Sequence, residues 1–153
     1  MDLGTGGGLT FNESAIIKYG ATTVSLSRGR PACVEFNWMK LFEVKLSLGK
    51  DFDPDKVSFY HVHPPGFDTY SALDVECVKG FNAALGYPVY FAIILFNDSI
   101  LGSVRHTLLS YRFMDDRMKT VDPLSAEPPG KTGALTAWDL VSLKACSYAE
   151  EVS

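Results

Sequence analysis

The sequence predicts an α+β domain, and three observations carry that prediction. Runs rich in β-branched and aromatic residues, "TTVSLS", "VSFYHVH" and "VYFAIILF", read as strands. Two further stretches, opening at Ser71 and at Ala134, repeat apolar residues at helical spacing. Proline- and glycine-bearing segments punctuate the chain between them. The 153 residues suffice for one domain whose core needs neither a disulfide nor a metal to hold it. A metal in this chain would therefore serve chemistry first.

The elements follow in order. A glycine-rich lead spans residues 1–8 and is expected to be flexible. "NESAIIKYG" reads either as a helix capped by Asn12 or Ser14 or as a short strand over Ala15 to Tyr19. "TTVSLS", "ACVEFNW" and "LFEVKLSL" then predict an antiparallel meander, the first two parted by the turn-like "RGRP". After "KDFDPDK", the strand "VSFYHVH" places Phe59, His61 and His63 on one face and Tyr60 and Val62 on the other. "PPGFDTY" stops it, because proline lacks the ladder donor. From Ser71 a helix is expected, with Leu73, Cys77, Phe81, Ala84 and Leu85 as its apolar stripe and Gly86 at its end.

"VYFAIILF" is unbroken and apolar, as for a central strand buried on both faces, and "LLSYRFM" predicts another strand. The main domain is thus expected over 9–122, a Pro/Gly-rich connector over 123–134 and a C-terminal helix over 135–153. That helix is either a closing element on the core or a docking helix for a partner. Trp38 and Trp138 are expected to pack.

Composition narrows the function. A net charge of −4 gives no basic footprint for nucleic acid, and no apolar run is long enough to span a bilayer. Cys33, Cys77 and Cys146 form no CxxC pair, so neither a disulfide framework nor a cysteine-based zinc knuckle is expected. The N-terminus has no apolar core of the kind a signal peptide carries, and the cytoplasm is the expected location. "GTGGG" lacks the lysine of a phosphate-binding loop.

The chemistry concentrates in "HVHPPGFDTYSALD". A catalytic zinc site uses three protein ligands, commonly imidazoles and a carboxylate, with water in the fourth position. His61 and His63 share a strand face, and Asp74 lies in the first turn of the next helix. The same Asp74 also suits a capping box with Ser71, opposite the positive end of the helix dipole.

The whole pattern, His-x-His-Pro, six residues, Ser, two residues, Asp, resembles the signature of the JAMM (MPN+) zinc metalloproteases, carried here by His61, His63, Pro64, Ser71 and Asp74. The resemblance covers roughly Val57 to Phe96. It implies an MPN-like, cytidine-deaminase-like fold, a central mixed β-sheet flanked by helices, within 9–122. It implies Zn2+ held by His61, His63 and Asp74, with Ser71 donating to the oxyanion of a tetrahedral intermediate. Its general base is a glutamate on an early strand followed by an apolar stretch and a glycine. "ESAIIKYG" has that outline, making Glu13 the first candidate, with Glu35 and Glu43 as the others. His106 is expected at a strand edge and Cys77 in the core.

The implied activity is zinc-dependent hydrolysis of a peptide or isopeptide bond, removing ubiquitin or a ubiquitin-like tag, with such a protein or a peptide as substrate. The alternative is a catalytically inactive MPN-like subunit that holds a larger assembly through its C-terminal helix.

Overall fold

The computed structural model describes residues 11–28, 36–124 and 133–148. The glycine-rich lead and most of the connector lie outside the described residues. Six strands, β1 (Ala15–Tyr19), β2 (Thr22–Ser27), β3 (Val57–Val62), β4 (Tyr90–Phe96), β5 (His106–Met114) and β6 (Arg117–Thr120), form one sheet in the order β2-β1-β3-β4-β5-β6. Three helices accompany them: α1 (Trp38–Leu48), α2 (Ala72–Leu85) and α3 (Ala137–Ser147). Only the β3–β4 pair is parallel, because α2 is the crossover between those strands. The sheet is therefore mixed, and the domain is an α+β arrangement. Among the described residues, no helix is long and apolar enough to cross a membrane.

The sheet is covered on both sides. Ala15, Ile17, Phe59, Phe91 and Ile93 point to one face, where they meet Leu41 of α1 and Val78, Phe81 and Leu85 of α2. Ile16, Tyr60, Val62, Ala92 and Ile94 point to the other, against Leu140 and Leu143 of α3. This double burial is why β3 and β4 are apolar almost throughout. It also decides the role of the C-terminal helix, which closes the second core. Ser58 and Tyr60 fix the chain ahead of α3 by donating hydrogen bonds to the Gly133 carbonyl at 3.1 and 2.8 Å. A Cβ at Gly133 would collide with Ser58 Oγ.

Several expectations are corrected. "LFEVKLSL" is helix, not strand: Asn37 caps α1 by accepting from the Lys40 N–H at 3.3 Å, and Leu41 is its buried position, with Trp38 packed beside the same core. Those interior positions follow the helical period, and packing overrides the β-rich composition. The meander is thus only the β1–β2 hairpin, and most of "ACVEFNW" lies outside the described residues. On α2 the buried stripe is Asp74, Cys77, Val78, Phe81 and Leu85, whereas Leu73 and Ala84 face outward. Trp138 is 75% exposed rather than packed. The cysteine expectation also changes, since Cys77 is disulfide-bonded inside the core and Cys146 is free; sequence spacing does not report which cysteines the fold brings together.

Candidate metal centre

Three elements converge at the C-terminal end of β3. The strand presents His61, and His63 follows one residue past its end, its N–H still bonded to the Ile94 carbonyl at 3.0 Å. Both imidazoles lie on the α2 side, 3% and 6% exposed, with ring centres 4.5 Å apart. Alternation along β3 is the cause, as the sequence predicts.

The antiparallel register of β1 on β3 brings in the carboxylate. Ala15 stands opposite His61, and the Val62 N–H donates to the Ser14 carbonyl at 2.9 Å, so the ladder continues past the strand end. Two residues before Ala15, on the same face, comes Glu13, with Oε1 3.0 Å from His61 Nε2. Glu13, His61 and His63 each offer a ligand atom, all within 4.8 Å of one another. Those three residues are close enough together to bind a metal ion.

Asp74 arrives from α2. It occupies the third helical position, where Ser71 Oγ accepts from its N–H at 3.1 Å and its own Oδ2 accepts from the Ser71 N–H at 2.8 Å, a complete capping box. The carboxylate so held lies 3.2 Å from His61 Nδ1 through Oδ1 and 3.2 Å from His63 Nε2 through Oδ2. Capping and site contact are two uses of one side chain. Ser71 is exposed, and an N-cap hydroxyl that accepts with a lone pair keeps its hydrogen for another acceptor.

The electrostatics follow from these contacts. Burial disfavours the His61 imidazolium, but hydrogen bonds to Asp74 and Glu13 outweigh it and raise its pKa above the ordinary value. Burial likewise works against ionised Asp74, yet the two imidazoles and the Ser71 N–H overcome it and hold the carboxyl well below the usual range. Both shifts express one fact, that two carboxylates face two imidazoles and call for positive charge between them.

The ring nitrogens show how a cation fits. His63 Nδ1 lies 3.0 Å from the Phe67 carbonyl, which can only accept, so Nδ1 carries the hydrogen. In neutral His63 the Nε2 lone pair then faces the Asp74 carboxylate, an arrangement that a bound cation turns from repulsive to attractive. A ligating histidine commonly has its second nitrogen fixed in this way by a backbone carbonyl. With neutral imidazoles, Glu13 and Asp74 together carry the charge that balances a divalent ion. The donor set, mixed nitrogen and oxygen, therefore fits a divalent metal ion.

The group opens into a pocket of about 480 Å³ whose other walls include Pro64, Phe67, Tyr70 and Leu73. The remaining candidates sit elsewhere. Glu43 is exposed on α1 and lines a separate groove with Tyr19 and Thr23. Glu35 lies outside the described residues. His106 opens β5 with Nδ1 2.9 Å from the Val104 carbonyl. The Phe67 carbonyl was not foreseen. Its signal is "PPG", a turn in which the Phe67 N–H bonds the Pro64 carbonyl at 3.1 Å and Gly66 takes φ 92°, returning the chain to His63. In sequence comparisons, no protein-family model and no curated protein matches the chain.

Proposed function

We propose that this chain is a JAMM-type zinc metallopeptidase that hydrolyses a peptide or isopeptide bond, with removal of a ubiquitin-like tag as the reaction the motif favours. The observation that carries this reading is the meeting of Glu13 with His61 and His63 in the pocket that also holds Ser71 and Asp74, the remaining polar members of the complete His-x-His-Pro…Ser-x-x-Asp pattern. His61, His63 and Asp74 hold the metal, and the Phe67 carbonyl orients His63. Zinc, when bound, supplies Lewis acidity toward the scissile carbonyl and lowers the pKa of water. Glu13, 30% exposed at the pocket edge, takes a proton from the attacking water and delivers it to the leaving amine. Ser71 donates its hydroxyl hydrogen to the carbonyl oxygen as negative charge develops there.

Elemental analysis of purified protein, paired with hydrolysis assays on ubiquitin-like fusions and short peptides, tests the proposal. Stoichiometric zinc, lost in the His61→Ala/Asp74→Ala double variant together with hydrolysis, is the expected result. Hydrolysis that survives complete metal removal overturns it.

A second reading, a silent MPN-like subunit of an assembly, draws on Trp138 and Val141, 75% and 42% exposed on the outer side of α3. Association lost in Trp138→Ala, without zinc in the wild type, would favour it.

A further inference from the structure

Metal chemistry occupies only one wall of the pocket. The lining also includes Pro64, Phe67, Tyr70 and Leu73, and none of these side chains carries charge. Phe67 and Leu73 are 63% and 50% exposed, although each belongs to a residue type that folding usually buries. Both positions are set by the backbone. Phe67 follows the "PPG" turn whose carbonyl holds His63, and Leu73 is the second residue of α2, directly before Asp74. The apolar lining is therefore carried by the same turn and helix start that orient His63 and Asp74.

We infer that the pocket selects a substrate carrying a bulky aliphatic or aromatic side chain within one residue of the scissile bond. This inference rests on the hydrolase reading for the position of that bond, and it adds the substrate class. Several features commit the pocket to such an occupant. About 480 Å³ exceeds what a glycine-only segment fills and accommodates a leucine or phenylalanine side chain beside the backbone of a peptide. Among the described residues the pocket's only ionisable groups besides the Tyr70 phenol are Glu13, Asp74 and the two histidines, so an aspartate side chain entering here meets two carboxylates and finds no free cationic side chain to pair with. Contact with Phe67 and Leu73 removes apolar area from water on both partners.

The test uses the full chain and two readouts. Hexapeptides differing at one position, leucine, phenylalanine, glycine or aspartate, are titrated into the metal-free protein by NMR, and their hydrolysis is followed with zinc added. Leucyl and phenylalanyl peptides are expected to bind at least about tenfold more tightly than the glycyl peptide. Phe67→Ala and Leu73→Ala should abolish that preference while leaving zinc content unchanged. Both residues are exposed, so both variants should fold. Equal affinity for the four peptides, or an unchanged preference in both variants, overturns the inference.

The two readings fail separately. Tight leucyl binding without hydrolysis sustains the side-chain preference and removes the hydrolase. Hydrolysis indifferent to the side chain sustains the hydrolase and removes the preference.

Discussion

Glu13 and His61, separated by 48 positions in the chain, meet at 3.0 Å between Oε1 and Nε2. The contact follows from the pairing of β1 with β3, which sets Ala15 opposite His61 and leaves Glu13 on the same face two residues earlier. A one-residue slip of β1 would turn Glu13 to the α3 side. The position of this carboxylate is thus as secure as the register, and the register is secured by Ile16 and Ile17, buried on opposite faces.

The first prediction concerns what that carboxylate does. Glu13→Gln should keep the metal, since His61, His63 and Asp74 remain, and should lower hydrolysis by about 10²- to 10⁴-fold, the usual contribution of a general base. Elemental analysis beside turnover measurements separates this from a ligand role, in which metal content would fall in parallel with rate.

Asp74 serves both helix and metal, and two substitutions divide those roles. Asp74→Asn retains an oxygen that can accept from the Ser71 N–H, so it should lose less stability than Asp74→Ala while metal binding is lost. Asp74→Ala should lose the metal and also about 1–3 kcal/mol of stability, because the Ser71 N–H and His61 lose their acceptor. Denaturant melts of the two metal-free variants make the comparison.

Much of this centre was legible in the sequence, for reasons that can be named. The period of two along "VSFYHVH" placed both imidazoles on one face, and the spacing of Ser71 and Asp74 marked a capped helix start, both being local effects. Glu13 was reachable only through the resemblance, whose base glutamate precedes an apolar stretch and a glycine, and five residues of "AIIKY" could not by themselves decide between strand and helix. The error over α1 has a different origin. Trp38, Phe42 and Val44 have the composition of a strand, and the core formed with Phe59 and Phe81 makes them a helix. The Phe67 carbonyl was invisible for a simpler reason, that a backbone atom leaves no mark of its own in sequence.

Lys18 and Asp139 give a pH prediction outside the metal centre. The lysine is wholly buried on β1 and the aspartate nearly so at the start of α3, with the ammonium and carboxylate 2.5 Å apart and Thr23 donating to the other oxygen. Burial opposes the carboxylate, but Lys18, the Thr136 N–H and Thr23 prevail and hold its pKa below the ordinary value. A lowered native pKa means that the stabilisation is present above the ordinary carboxylate range near about 4 and is lost as pH falls through the native value. Asp139→Asn strands a buried ammonium and should cost about 3–5 kcal/mol at neutral pH. Chemical denaturation from pH 7 downward should show the gap between variant and wild type closing only below about pH 4.

The role of α3 is tested by contrast along one helix. Leu143 is fully buried against Tyr60 and Ile94, so Leu143→Ala should destabilise the domain by about 2–5 kcal/mol. Trp138→Ala, at an exposed position, should fall within about 0.5 kcal/mol of wild type. Calorimetric unfolding of both variants would reveal an error if the tryptophan proved the costlier loss, since α3 would then be held through its outer face.

Ser71 provides the most discriminating pair of variants, because its oxygen caps α2 while its hydrogen is assigned to the substrate. Ser71→Ala should lose about 1 kcal/mol of stability with the cap and about 10²- to 10³-fold in rate with the oxyanion donor. Asn is as good an N-cap as serine, so Ser71→Asn should regain the stability. Its side chain is longer and lacks the hydroxyl at the serine's position, so the rate should stay low. Recovery of both would show that Ser71 acts on the chemistry only by fixing Asp74, and persistence of the rate defect in a fully stable Ser71→Asn protein would place its hydroxyl at the reacting carbonyl.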